Sequence, residues 1–322
     1  MARRRTIVFM GSPDFAVPSL DICARLHDVK AVYSQPPRKR GRGMAVRPSP
    51  VHAHAEELGL KVHTPLRFDA EALEELRQIS PEFLMVVAYG IILPAPVLKA
   101  ASRAAINGHA SLLPRWRGAA PIHRAIEAGD GETGITTMLM EEDLDAGPML
   151  LKRRTPIRPD DTTGRLHDRL ADMTAEALAE TLEHFDEITP EAQDISGVTW
   201  AGKITPAEAE IDFTQPGDVI ERRIRAFAPY PGAWFSCGAE GDGRSRRLKV
   251  LAGKIRAESG AGHRTAPGKV LGRGETGGPL VATADGAIEL VRVQPQGKPP
   301  MDGQAFLNGN SLPGVIVPTE QG

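Results

Sequence analysis

The sequence predicts two domains: an α/β domain on a Rossmann-like, open, mostly parallel sheet, followed by a small, OB-like β-barrel. Two observations point there. Apolar runs too short for helices alternate with helical patterns from Thr6 to Asn107, the texture of strands buried on both faces. Beyond Pro206 short strands separated by glycine-rich turns take over, as in small barrels. The 322 residues are enough for two cores. The expected division is residues 1–189, a linker at 190–207, and residues 208–322.

In chain order, residues 6–10 read as a buried strand, and Gly11-Ser12-Pro13-Asp14-Phe15 as the turn into a helix through Leu26. The later glycines of a G-x-G-x-x-G fingerprint are absent, which removes the main support for a dinucleotide. A second strand at 29–34 leads into a loop, 35–48, that carries Arg38, Lys39, Arg40, Arg42 and Arg47 and no acid. Its glycines and prolines predict an exposed segment without regular structure. Ser49 caps a helix with Pro50 in its first turn. His52 and His54 on that helix are two apart and share no face, so with His63 they make a poor metal set.

A helix at 69–79 precedes a central strand at 83–88, which runs into the apolar loop 89–94 at a strand's carboxyl end, the edge where open α/β sheets bind ligands. Strands are expected at 104–106, 134–140 and 149–154, with a helix at 119–128 between the first two. A long helix starts at Thr162 or Thr163, with Leu166, Leu170, Met173, Ala177, Leu178, Leu182 and Phe185 on its core face. Residues 190–209 read as connector despite the strand-like Gly197-Val198-Thr199-Trp200. The tail reads as a helix at 221–227 and strands at 247–251, 268–271, 280–283 and 287–293.

A net charge of −2 confines any nucleic-acid contact to local patches. One is the loop 35–48. The other lies between Arg244 and Arg273, where nine Lys or Arg, among them Arg246, Arg247 and Lys249, accompany the single acid Glu258. Such a face suits phosphates or plain solvent, and the lack of aromatics within it argues against base stacking. Cys23 and Cys237 offer no disulfide framework. The apolar run after the basic start ends at Met10, too short for a signal peptide or a membrane span, so a cytoplasmic protein is expected.

The chemistry centres on Asn107-Gly108-His109. Period 2 puts Asn107 and His109 on one side of a strand end, a donor and a titratable ring suited to charge developing on a carbonyl oxygen. That is acyl transfer without a nucleophilic side chain. Taken alone, Asn-x-His is more often a chain turn beside a satisfied histidine. Ser111-Leu112-Leu113-Pro114 follows as a stiff apolar wall for a flat ligand. Leu144-Asp145-Ala146-Gly147 then places a carboxylate in a tight turn, where it can orient an imidazole.

Asn-x-His-x-Ser-Leu-Leu-Pro with a later Leu-Asp-x-Gly resembles the catalytic signature of the 10-formyltetrahydrofolate-dependent formyltransferases. The resemblance implies that Asn107 and His109 stabilise the oxyanion, and that Asp145 orients His109 and helps take the amine's proton. It also implies that Tyr89 and Ile91 join Ser111, Leu112, Leu113 and Pro114 around the pterin of 10-formyltetrahydrofolate, with no metal. Arg115-Trp116-Arg117-Gly118-Ala119-Ala120-Pro121 and the segment 224–235 resemble the branch that formylates initiator methionyl-tRNA. In that branch the arginine-bearing loop at 35–48 contacts tRNA. The pattern departs at Gly108, where Val or Ile is expected, at His123 in place of Gln, and at Pro148 in place of Asp. The alternatives are a formyltransferase acting on glycinamide ribonucleotide or a sugar amine, a formyltetrahydrofolate hydrolase, or a non-catalytic RNA-binding protein. A small substrate needs neither the basic loop nor the tail, and a pure binder needs no Asn107, His109 and Asp145.

Overall fold

The computed structural model describes residues 3–40, 44–238, 245–256 and 265–317; Arg42 and the side chain of Arg40 lie outside it. Two compact units emerge, 1–121 with 132–156 and 166–202, and 122–131 with 157–165 and 203–322.

The first unit contains β1 (Thr6–Gly11), α1 (Val17–Leu26), β2 (Asp28–Tyr33), β3 (Arg38–Arg40), β4 (Ala45–Arg47), α2 (Pro50–Glu57), β5 (Val62–His63), α3 (Ala70–Ile79), β6 (Phe83–Val87), α4 (Ala95–Leu98) and β7 (Ala104–His109). After α5 (Pro121–Ala128) come β8 (Glu132–Leu139), β9 (Met149–Pro156) and α6 (Thr163–Glu183). The sheet order is β5-β2-β1-β6-β7-β8-β9. It is parallel from β5 through β7 and antiparallel across β7, β8 and β9. The strand order reverses at β1, so the crevice of an open α/β sheet lies at the carboxyl ends of β1 and β6. Ile7, Val8, Phe9 and Met10 have no exposed surface, as continuous apolar strands covered on both faces require. Helix starts follow the side-chain chemistry: Ser49 Oγ accepts from the His52 amide at 3.0 Å, and Asp69 Oδ1 from Ala72 at 3.1 Å.

The basic loop departs from its expected irregularity. Arg38, Lys39 and Arg40 pair antiparallel with Arg47, Val46 and Ala45, making a separate two-stranded sheet. Pro36-Pro37 impose the extended backbone that a strand needs, and two segments without a neighbouring sheet satisfy their main-chain groups on each other. The three histidines face different carboxylates, His52 Glu56, His54 Glu57 and His63 Glu75. Among the described residues no group of three or more metal-binding side chains occurs, and no helix is long and apolar enough to cross a membrane.

The second unit holds α7 (Gly217–Phe227), β10 (Ala233–Gly238), β11 (Ser245–Arg256), β12 (Val270–Arg273), β13 (Pro279–Ala282), β14 (Ala287–Pro295), β15 (Met301–Asp302) and α8 (Gly303–Leu307). The strands form an antiparallel sheet, β10-β11-β14-β13-β12, with β15 beside β14. Ile220, Ile224 and Phe227 on α7 are buried, and α7 packs on β11. Within this core Glu289 is fully buried. Its oxygens accept from the Thr276 amide at 2.7 Å, the Thr276 hydroxyl at 2.6 Å, and the Arg256 guanidinium at 2.7 Å. Burial favours the neutral acid, but the Thr276 and Arg256 bonds outweigh it and hold the carboxyl below its ordinary value. A depressed folded value means that its stabilisation is present above the unfolded value of about 4.3 and is lost as pH falls through the folded one. Glu289→Ala leaves the Thr276 amide and hydroxyl without their acceptor and Arg256 with Glu275 alone, and is expected to cost about 3–5 kcal/mol by urea unfolding at pH 7. An equal cost at pH 7 and pH 3 would contradict this assignment.

Candidate active site

β7 carries the first two polar groups. Ala104 to Asn107 pair with β6, and Ile106 to His109 with β8. The strand thus continues past Ile106, where the sequence reading ended it, because β8 supplies a ladder beyond the end of β6. Gly108 permits this: a Cβ there would meet Thr174 Cγ2 of α6 at 2.6 Å. Asn107 and His109, flanking Gly108, turn to the face away from α6.

Asp145 reaches the same place from the loop between β8 and β9. Its Oδ1 accepts from Asn107 Nδ2 at 3.4 Å and its Oδ2 from the Gly118 amide at 2.9 Å. Oδ2 also lies 3.6 Å from His109 Nδ1, with both side chains no more than 10% exposed. His109 Nε2 is 2.8 Å from the Trp116 carbonyl oxygen, which can only accept, so Nε2 donates and Nδ1 is left to the carboxylate. The three residues expected from the sequence therefore converge.

The backbone around them is held in unusual conformations. Asp145 sits at φ +52°, a left-handed position that Asp tolerates better than most residues. Two residues on, a Cβ at Gly147 would meet the Leu139 carbonyl oxygen at 1.9 Å, so only glycine closes this turn. Trp116 lies at φ +64°, a costly conformation for a bulky residue. It persists because the surrounding loop is bonded along its length: Trp116 N to Thr199 Oγ1 at 2.8 Å, Arg117 N to Thr199 O at 2.9 Å, Ala201 N to Arg117 O at 2.7 Å, and Ala120 N to Ala201 O at 3.1 Å.

Gln193, 9% exposed, joins the loop and the turn. Its Nε2 donates to the carbonyls of Asp145 and Gly147, both at 2.8 Å, and its Oε1 accepts from Arg117 Nε at 2.9 Å and Nη2 at 2.7 Å. The sequence reading passed over Gln193, and the strand-like Val198-Thr199-Trp200 was the signal that this stretch is bound to the site.

The residues expected around a flat ligand divide. Ser111 is fully buried and its hydroxyl donates to Arg115 O at 2.7 Å, so it is engaged and offers no nucleophile. Thr136 Oγ1 donates to Ser111 O at 2.7 Å and accepts from Leu113 N at 3.1 Å, pinning the segment to β8. Leu113 packs in a cluster with Met138 and Met149, while Tyr89 belongs to the cluster of Val8, Tyr33, Leu84 and Leu93. The Tyr89 hydroxyl is buried without a partner among the described residues, and burial raises its pKa, so the ring behaves as an apolar core residue. Ile91, Leu112 and Pro114 keep part of their surface exposed, and Ile91 and Met140 pack on the cluster that holds Tyr89. The loop 89–94 and the start of the Asp145 loop thus pack on the same apolar cluster. Its main chain is braced where Ser12 Oγ and Gln35 Nε2 both donate to Tyr89 O, at 3.0 and 3.1 Å.

Of the basic residues, Arg38 and Arg47 are directly cross-strand, and neither they nor Lys39 has a carboxylate partner among the described residues. On β11 the period-2 rule puts Arg247 and Lys249 on one face and Arg246 with the buried Leu248 and Val250 on the other. The Arg247 guanidinium lies 3.9 Å from the Trp234 ring centroid.

Formyl transferase sequences match residues 4–182, and the formyl transferase C-terminal domain matches residues 203–311. The chain belongs to the formyl transferase family. It is 49% identical over 314 residues to the methionyl-tRNA formyltransferase of Jannaschia sp. (strain CCS1), covering 97% of this chain and 99% of that one. It is also 49% identical over 309 residues to that of Ruegeria pomeroyi (strain ATCC 700808 / DSM 15171 / DSS-3), covering 95% and 98%. Among solved structures, an N-formyltransferase from Helicobacter canadensis, in complex with folinic acid and dTDP-3-aminofucose, shares the fold. The TM-score is 0.64 at 17% identity, over 89% of this chain and 99% of that one.

Proposed function

We propose that this chain transfers the formyl group of 10-formyltetrahydrofolate to the α-amine of methionyl initiator tRNA. The observation that carries the chemistry is the convergence of Asn107 Nδ2 and His109 Nδ1 on the Asp145 carboxylate, within 3.4 and 3.6 Å. Similarity to methionyl-tRNA formyltransferases along nearly the whole chain supports the choice of acceptor.

The folate donor, when bound, supplies the formyl carbon as electrophile. Ile91, Leu112 and Pro114 keep apolar surface partly exposed, and the carbonyl of Tyr89 is held in place by Ser12 and Gln35, features that suit a flat ring with polar edges. Asn107 has a second amide hydrogen beyond the one given to Asp145, and this hydrogen stabilises charge on the formyl oxygen when the amine attacks. Asp145 Oδ2, 3.6 Å from Nδ1 of His109, orients the ring toward the place where the oxyanion forms, and the Asp145 carboxylate takes up the proton that the amine loses. No covalent enzyme intermediate is needed, in keeping with the engaged hydroxyl of Ser111.

Residues 1–189 are the proposed catalytic domain, 190–207 the linker and 208–322 the tRNA-binding domain. The hairpin of β3 and β4 supports a phosphate-binding role: like charges directly opposed at Arg38 and Arg47 weaken the pairing, and an anion lying across them relieves this. Arg246, Arg247 and Lys249 are proposed as a second basic contact. The deciding measurement offers labelled formyl donor to charged initiator tRNA, uncharged initiator tRNA, glycinamide ribonucleotide and a nucleotide amino sugar. Transfer is expected to the charged tRNA alone. Transfer to a small amine but not to methionyl-tRNA would overturn the proposed acceptor.

A further inference from the structure

We propose that Gln193 is a positioning residue, and that its side-chain amide sets the orientation of the Asp145 carboxylate by clasping the Asp145 turn to the Arg117 loop. The inference rests on the catalytic role proposed above for Asp145. An amide side chain has two donor hydrogens and two acceptor lone pairs, and Gln193 uses all four: two to the carbonyls of Asp145 and Gly147, two from Arg117. It is a nearly buried, saturated group, so removing it leaves two carbonyls and a guanidinium edge without their partners.

The contacts close a ring. Gln193 grips Arg117, the next residue's amide donates to Asp145 Oδ2 at 2.9 Å, and Gln193 in turn holds the Asp145 carbonyl. Asp145 is thus fixed at its main chain and at its carboxylate by two groups that are themselves joined. Its left-handed backbone, at φ +52°, needs such restraint, because relaxation of that torsion swings the carboxylate away from His109 Nδ1. Few other side chains can serve. Glutamate accepts from Arg117 but donates to neither carbonyl, methionine keeps the shape with no hydrogen bond, and asparagine is a bond too short to span both sides.

The test compares the wild type with Gln193→Met and Gln193→Glu in formyl transfer to methionyl-tRNA, with thermal melting to follow the fold. Both variants are expected to lose about 10- to 100-fold in kcat, as misplacement of a catalytic group by about an ångström does, with KM for donor and tRNA nearly unchanged. In the neutral Gln193→Met variant the pH dependence of kcat is also expected to change, since the carboxylate that lies 3.6 Å from His109 Nδ1 has moved. A lower kcat with an unmoved pH profile would show a merely structural role and overturn the inference. Recovery of wild-type kcat in Gln193→Glu would do so as well, by showing that anchoring Arg117 is sufficient. If Gln193→Met melts too low to assay, Gln193→Glu decides on the kcat and KM split. A wild-type chain inactive on methionyl-tRNA would overturn the proposed function itself, whereas an active wild type with unaffected Gln193 variants overturns this inference alone.

Discussion

Replacing His109 with Ala, or Asp145 with Asn, is expected to reduce formyl transfer by about 10²- to 10⁴-fold while donor binding stays nearly intact. In the proposed mechanism both groups act on charge that appears only as the amine attacks, so the loss belongs in kcat. Asp145→Asn is the cleaner of the two. Asparagine tolerates the left-handed conformation found at φ +52° and keeps an oxygen for the Gly118 amide 2.9 Å away, so the substitution removes the charge and, of the carboxylate's bonds, the long one from Asn107 Nδ2 at 3.4 Å. Equilibrium binding of the donor, beside steady-state kinetics with methionyl-tRNA, separates the two quantities. Rates close to wild type in either variant would remove that residue from the mechanism.

Affinity for methionyl-tRNA is expected to fall steeply as salt is raised, by as much as about 10³-fold between 50 and 200 mM if six or more phosphates are engaged. Arg38 and Arg47 face each other across the hairpin without carboxylate partners among the described residues, so each is available for a phosphate. Alanine at Arg38, Lys39 or Arg47 should flatten the salt slope by up to about one unit per lost contact. On β11 the effect is expected from Arg247 and Lys249, which share a face, more than from Arg246 on the other. Donor affinity should not change. A slope that survives all of these substitutions would mark both patches as solvated surface.

The pairing of Asn107 and His109 on one side of a strand was legible because period 2 is a local rule, and the two residues obey it around Gly108 in the structure. Helix starts at Ser49 and Asp69 were legible for the same reason, since a cap bonds to an amide three residues away. What stayed hidden depended on distant partners. The extension of β7 to His109 requires β8, about thirty residues later, and room against Thr174 on α6. Tyr89 and Leu113 read as pocket walls, and their burial within separate apolar clusters is set by packing that no single stretch encodes. Gln193 is the extreme case: nothing in Glu191-Ala192-Gln193-Asp194 distinguishes it from connector until Arg117 and the Asp145 turn are beside it.

The bonding of residues 116–120 to 199–201 bears on how the chain can be divided. A polypeptide ending at residue 182, where the formyl transferase match stops, keeps Asn107, His109 and Asp145 but loses Gln193, Thr199 and Ala201. The Arg117 loop would then have no strip to zip against, and the bulky left-handed Trp116 would relax, taking with it the carbonyl that orients His109. The stretch matched by the formyl transferase family and the smallest piece able to hold Asn107, His109 and Asp145 in place are therefore different lengths of chain. The segment between them braces the place where Asn107, His109 and Asp145 meet.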